Sequence, residues 1–230
     1  MVRLPAGTYR PLYGQRGTDV VAVKSFQLDR DAVTRGAFLA FLREEPRWRR
    51  DAVAPLYADR RSYLADWRDV LDAGDADDLR RPVTGVSWFA ARAYCASLGK
   101  RLPTVHEWEY AAAASETRRD ATGDPAFIQR LVSLYAGRPR PLPPVGAGFV
   151  NVYGVRGLHG LAWEWVADFN GVLVSDDSRG VGGRDHDAFC ASAAIGALDP
   201  ANYAAFLRFA FRSGLTGRSA AGSLGFRCAA

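Results

Sequence analysis

The sequence predicts one α+β domain in which a few capped helices and very short strands are set in much irregular chain. Three observations lead there. The length of 230 residues and mass of 25.1 kDa fit a single domain spanning 1–230. Apolar runs are only three to six residues long and are punctuated by a high glycine and proline content, 23 and 12 residues. Helix-start signals recur at Thr34, Ser87 and Thr104, and 6 Trp, 9 Tyr and 12 Phe supply bulky core fillers. With 48% hydrophobic and 24% charged residues, a disordered chain, a collagen-like repeat and a disulfide-dense miniprotein are excluded.

Taken in order, Leu4–Tyr9, Val20–Val23 and Phe26–Leu28 read as short strands separated by Gly7, Gly14 and Gly17. Thr34 caps a helix from Arg35 to about Glu44, with Phe38, Leu39 and Phe41 as its apolar positions. Residues 45–81 are charged, with scattered aromatics, and read as a long excursion containing short helical pieces. Ser87 caps a helix in which Trp88, Ala91, Cys95 and Leu98 share a face, and Gly99 closes it. Thr104-Val-His-Glu107 is a capping box opening a second helix that runs to about Ala114. Residues 116–150, with prolines at 139, 141, 143 and 144, read as irregular. Turns over 151–161 feed a strand at Ala162–Val166, and the glycine- and aspartate-rich 171–190 reads as a surface loop. Phe206–Arg212 and Leu224–Cys228 read as two closing strands.

The net charge is +5 with a pI near 9.3, a value at which nucleic-acid binding must be considered. Only Lys24 and Lys100 are lysines, and the arginines alternate with acids, as over 43–51. Such interleaving reads as paired surface, and no nucleic-acid partner is expected. No run approaches the roughly 20 apolar residues of a membrane-spanning helix. Three cysteines allow one disulfide and one thiol, or three thiols. The chain opens MVRLPAGTY, on what reads as folded sequence, with no leader.

Four blocks then stand together. PVTGVSWFAARAYCASLGKRLPTVHEWEYAAAA (82–114), NVYGVRGLHGLAWEWVADF (151–169), the ending SLGFRCAA (223–230) and the opening VRLPAGTY with FQLDRDAVTRGAFLAFL (26–42) resemble, in order, the signature of the formylglycine-generating-enzyme family, the sulfatase-modifying-factor domain. The resemblance spans nearly the whole chain. It implies that family's fold, an α+β variant of the C-type lectin fold with two helices, short sheets and much irregular structure. Fold alone does not assign activity. The family includes copper-dependent oxidases that convert a sulfatase cysteine to formylglycine, iron enzymes of ergothioneine-type sulfoxide synthesis, inactive paralogues and ligand-display proteins.

The oxidase needs two cysteines that hold Cu(I) as thiolates. Counted back without gaps from GFRCAA, those positions fall on Asp199 and Ala204, so no catalytic residue is assigned. The serine of the family's GGS turn falls on Gly196, and Tyr203 occupies a position often filled by tyrosine. The family's G-N-x-W-E-W calcium block reads Gly160-Leu161-Ala162-Trp163-Glu164-Trp165 here; leucine offers calcium no oxygen, and the family's calcium sites are expected to be lost. Glu164 is then expected to pair with an arginine or cap a turn, and Arg227 of GFR to be a buried pairing residue. His106, His159 and His186 lack the spacing of an iron-binding triad.

Secreted members often join the positions of Cys95 and Cys228, so the resemblance implies that disulfide and, with it, a periplasmic or secreted protein whose leader is missing from this sequence. Cys190 is then unpaired. His186 and Asp187 lie close to it, and thiolate with imidazole suits copper or zinc, whereas a small buried residue is the plainer reading. The tail CASAAIGALDPANYAAFLRFAFRSGL resembles a subgroup described as accessory factors for copper enzymes such as copper nitrite reductase. The leading expectation is an exported accessory or binding protein without formylglycine-generating activity. Its groove, with Tyr203, Trp163, Arg208 and Arg212, would take a protein or peptide partner, including a copper enzyme. Trp163 and Trp165 also read as core. The alternatives are a copper-binding protein or oxidase centred on Cys190, and a lectin-like display module; for the latter, only Asn202 and Tyr203 of the alanine-rich 191–223 fit.

Overall fold

The computed structural model describes residues 1–12, 20–169 and 202–230. Two antiparallel pairs open the chain. β1 (Val2–Leu4) pairs with β4 (Phe26–Leu28), and β2 (Gly7–Tyr9) pairs with β3 (Val21–Val23). Alternation turns Leu4 and Leu28 wholly inward. The C-terminus completes this region: Ala229 bridges to Leu28 and Arg101, and Gln27 and Ala230 exchange backbone hydrogen bonds of 2.9 Å. β5 (Trp163–Glu164) and β6 (Leu224–Gly225) form a short parallel pair. Gly225 is needed there, because a Cβ would lie 2.5 Å from the Val83 carbonyl oxygen.

The helices begin at their caps. Thr34 accepts from Ala37 N to open α1 (Arg35–Glu44), which buries Phe38, Leu39, Phe41 and Leu42. Asp75 caps the one-turn α2 (Ala76–Leu79). Ser87 opens α3 (Trp88–Ser97), and the Thr104–Glu107 box opens α4 (Val105–Ala112) with both reciprocal bonds made. The charged excursion contains a 3-10 turn at Pro46–Trp48 and buries Trp48, Val53, Tyr63, Leu64 and Trp67 against the main core. Residues 151–161 are turns in which Gly154, Gly157 and Gly160 have positive φ.

Several segments differ from expectation. Leu4–Tyr9, expected as one strand, is divided at Pro5-Ala6 between β1 and β2, because proline donates no ladder hydrogen bond. Residues 116–150 were expected to be irregular, yet Pro125–Ala136 is a helix, α5. Asp124 caps it, Pro125 occupies the first turn, and Phe127, Ile128 and Leu131 are buried. The predicted strand Phe206–Arg212 is also a helix, α6 (Tyr203–Ser213), capped by Asn202. Its aromatics favour strand locally, but Ala204, Ala205, Arg208 and Arg212 form its buried face, a spacing of about four that only a helix provides. The strand predicted at Ala162–Val166 shortens to Trp163–Glu164, and Leu224–Cys228 shortens to Leu224–Gly225. The 171–190 loop prediction lies outside the described residues.

Cys95 on α3 and Cys228 near the C-terminus are joined, with Cα atoms 5.6 Å apart and a sequence separation of 133. Both are fully buried in the main core. The bond ties the first of the two adjacent capped helices to the terminal segment.

Candidate functional site

Glu164 is held at the parallel pair, where Trp163 N donates to Ser223 O and Trp165 N to Gly225 O. Arg227, with no exposed surface, grips its carboxylate twice: Nε to Oε2 and Nη2 to Oε1, each 2.8 Å. The remaining guanidinium bonds reach the carbonyls of Asp29, Arg30 and Arg156 at 3.0–3.1 Å. Trp108 Nε1 donates to Glu164 Oε2 at 2.8 Å. Both Glu164 oxygens are therefore engaged, and Leu161 is buried as an apolar residue. Arg227 and Glu164 take the pairing roles expected of them.

A second buried ionic cluster fastens α6 to α4. Arg208 donates from Nε to both Glu109 oxygens at 3.0 Å and from Nη2 to Oε2 at 2.6 Å; Arg212 Nη1 donates to Oε1 at 2.6 Å. The two guanidiniums lie 5.5 and 5.0 Å from the Trp108 ring centre. Burial opposes ionisation of Glu109, but the two arginines outweigh it and hold its pKa down to about 2. The network continues from Arg208 Nη1 to the Tyr135 hydroxyl at 3.0 Å. Tyr135 Oη lies 2.7 Å from His159 Nδ1, and His159 Nε2 lies 3.0 Å from Ala112 O. A carbonyl only accepts, so Nε2 carries the proton, and Nδ1 accepts from Tyr135. Burial, then the nearby Arg208 charge, pushes the His159 pKa down to about 3, so the ring is neutral.

The predicted groove therefore divides. Arg208 and Arg212 are about 4–5% exposed and consumed by Glu109, so they are not ligand-facing, which corrects that expectation. Their charges require a carboxylate once buried, and α4 supplies it. Trp163 is half-buried. It stacks on Phe211 at 4.8 Å and 16°, lies 4.9 Å from the Tyr135 ring, and has the Arg138 guanidinium 4.6 Å from its centre. Tyr203 is 50% exposed and stacked on Phe206. It lines a surface hollow of about 470 Å³ with Ile128 and Val132. Tyr203 and Phe211 are eight residues, about 12 Å, apart along α6. Trp163 and Tyr203 thus belong to opposite ends of that helix, not to one pocket.

Ala204, on which one of the family's two cysteine positions falls, is fully buried among Phe127, Ile128 and Leu131. Cys190, His186, Asp187 and Asp199 lie outside the described residues. Among the described residues, no three His, Cys, Asp or Glu side chains come together as a metal site. Sequence reasoning missed Glu109, Tyr135 and His159 as one network. The hint was Glu109 itself, on the mostly apolar helix that follows the capping box.

Residues 1–230 match the sulfatase-modifying factor enzyme 1-like domain. The inactive C-alpha-formylglycine-generating enzyme 2 of Bos taurus is 32% identical over 278 residues, covering 100% of this chain and 87% of the relative. The formylglycine-generating enzyme of Streptomyces coelicolor is 31% identical, covering 99% and 88%. A hercynine oxygenase of Mycolicibacterium smegmatis is 31% identical over 68% of this chain and 40% of its own length. The crystal structure of CarF shares the fold, with a TM-score of 0.52 at 16% identity over 99% of this chain and 96% of that one.

Proposed function

Because the chain belongs to the formylglycine-generating-enzyme (sulfatase-modifying-factor) family, we propose that it is a divergent member acting as an exported accessory or binding protein, without formylglycine-generating activity. One observation carries this reading. The Cys95–Cys228 bond uses two of the three cysteines. One thiol, Cys190, remains, and a two-thiolate Cu(I) site cannot be assembled from it within one chain. Ala204, sealed in an apolar cluster, offers no donor. The donor set therefore does not fit the family's copper centre.

The partner in this reading is a protein or peptide, with a copper enzyme under maturation as one candidate class. The half-buried Trp163–Phe211 stack and the exposed Tyr203 are the aromatic surfaces available for it at the two ends of α6. Export is supported by the disulfide, which persists in oxidising compartments.

The test is direct. A cysteine-containing sulfatase peptide is incubated with the protein, Cu(I), dioxygen and a thiol reductant that supplies the two further electrons dioxygen needs, and its mass is followed. The cysteine is expected to survive; conversion to the aldehyde overturns the noncatalytic assignment. The second reading, a copper site at Cys190, rests on that residue being the one thiol left over. Titration with Cu(I) against a chelator decides it: one copper bound tightly and lost in Cys190→Ala supports the site, and no binding above the chelator removes it.

A further inference from the structure

A trough away from the ionic clusters is untouched by any of these roles. The segment after the 3-10 turn runs beside α3 and leaves a groove of about 420 Å³, within the size range of ligand pockets, about 300–1,000 Å³. Trp48, Tyr57 and Phe89 wall it, with alanines of both segments between them. The rings brace one another: Trp48 and Tyr57 centres are 5.8 Å apart at 56°, Tyr57 and Phe89 5.3 Å apart at 63°. Tyr57 is nevertheless 41% exposed, and Leu56 beside it, at 69%, is the most exposed large apolar residue among those described.

The charge around the groove is mixed, with an excess of arginine. Residues 43–61 contain six arginines and four acids. Three of those arginines are turned to backbone carbonyls: Arg49 to Leu42 O, Arg50 to Leu64 O, Arg60 to Val53 O, at 3.0–3.2 Å. Among the described residues, none of these three is paired with a carboxylate. In the groove itself Arg47 pairs with Glu45 at 3.1 Å. Arg92 is exposed, lies 5.4 Å from the Trp88 ring centre, and has no carboxylate partner among the described residues. An apolar cleft bordered by uncompensated guanidinium attracts a ligand that is apolar in the middle and anionic beside it.

We propose that this trough docks an acidic peptide segment of a partner protein. An aromatic or aliphatic side chain enters between Trp48, Tyr57 and Phe89, and a flanking carboxylate meets Arg92. Single-stranded nucleic acid fits less well. The rings meet one another at steep angles, so they do not form the row of parallel platforms on which successive bases stack. The proposal rests on the binding-protein reading only in invoking a peptide partner. Its readout is Arg92 and Tyr57, not turnover, so each can fail without the other.

The test is selection of a random heptapeptide display library on the intact protein, followed by titration of the enriched peptides by fluorescence anisotropy. The expected consensus is an aromatic or leucine flanked by Asp or Glu. Arg92→Glu and Tyr57→Ser are each expected to weaken binding by at least about tenfold, Arg92→Lys to retain it, and rising salt to loosen it. Both positions are exposed, and an unchanged melting curve confirms that the variants fold. No enrichment, a basic or uncharged consensus, binding indifferent to both substitutions, or displacement of the peptide by oligothymidine overturns the proposal.

Discussion

Glu109 is the residue on which most converges. It neutralises one of two buried guanidiniums directly contacting it, and the pair leaves a net positive charge that only fixed geometry tolerates. Glu109→Gln removes the charge and keeps the shape. It is expected to cost about 3–5 kcal/mol, because two arginines are left buried without a counter-charge. Urea unfolding measures this, and a loss no larger than that of a surface substitution would refute the closed cluster. The same residues set the acid limb of stability. His159 has its pKa lowered from 6.5 to about 3, and Glu109 from 4.5 to about 2. In both cases the unfolded chain binds the proton more readily. Stability is therefore full above about pH 6.5, declines first as unfolded His159 protonates, and falls more steeply below about pH 4.5. The variant His159→Phe should flatten the upper part of that decline; an unaltered pH profile would show that His159 does not titrate on unfolding.

At the scale of elements, the caps were legible and the helix interiors less so. Thr34, Ser87 and Thr104 announce α1, α3 and α4 because a short polar side chain before an apolar stretch satisfies otherwise orphaned N–H groups. Asp124-Pro125 carries the same signal for α5, set within a stretch whose prolines from 139 onward signal irregular chain. In α6 the aromatic content pointed to strand, and the decisive partner, Glu109, lies about 100 residues away in sequence. Asn202 accepts from Ala205 N at 3.1 Å and is itself buried. Asn202→Ala is expected to destabilise by about 1 kcal/mol, lowering the melting temperature by about 2–4 °C. A calorimetric scan with no shift would mean that tertiary contacts alone hold the start of α6.

Across the whole molecule, the Cys95–Cys228 bond closes a loop of more than half the chain. In the loop-entropy model that corresponds to on the order of 5 kcal/mol against the unfolded state, less any relaxation of the native state. It also decides how many thiols the chain presents. Alkylation of unfolded, unreduced protein should label one cysteine, and labelling after reduction should reach three. Three labels without reductant would remove the disulfide and, with it, the argument for an oxidising compartment and against a thiolate pair.

The sequence by itself determined the family blocks, the capped starts of α1, α3 and α4, the pairing character of Glu164 and of Arg227 without their joining each other, and, through the family resemblance, the partners of the disulfide. These are signals carried by neighbouring residues or by motifs that keep their order along the chain. Only the tertiary structure decided that α6 is a helix, that Arg208 and Arg212 are buried structural charges, and that Trp163 and Tyr203 lie at different ends of that helix. The reason is physical. An arginine's role depends on which carboxylate reaches it, and the choice between strand and helix depends on which face is covered. The carboxylate comes from α4 and much of the covering surface from α5, both distant in the chain.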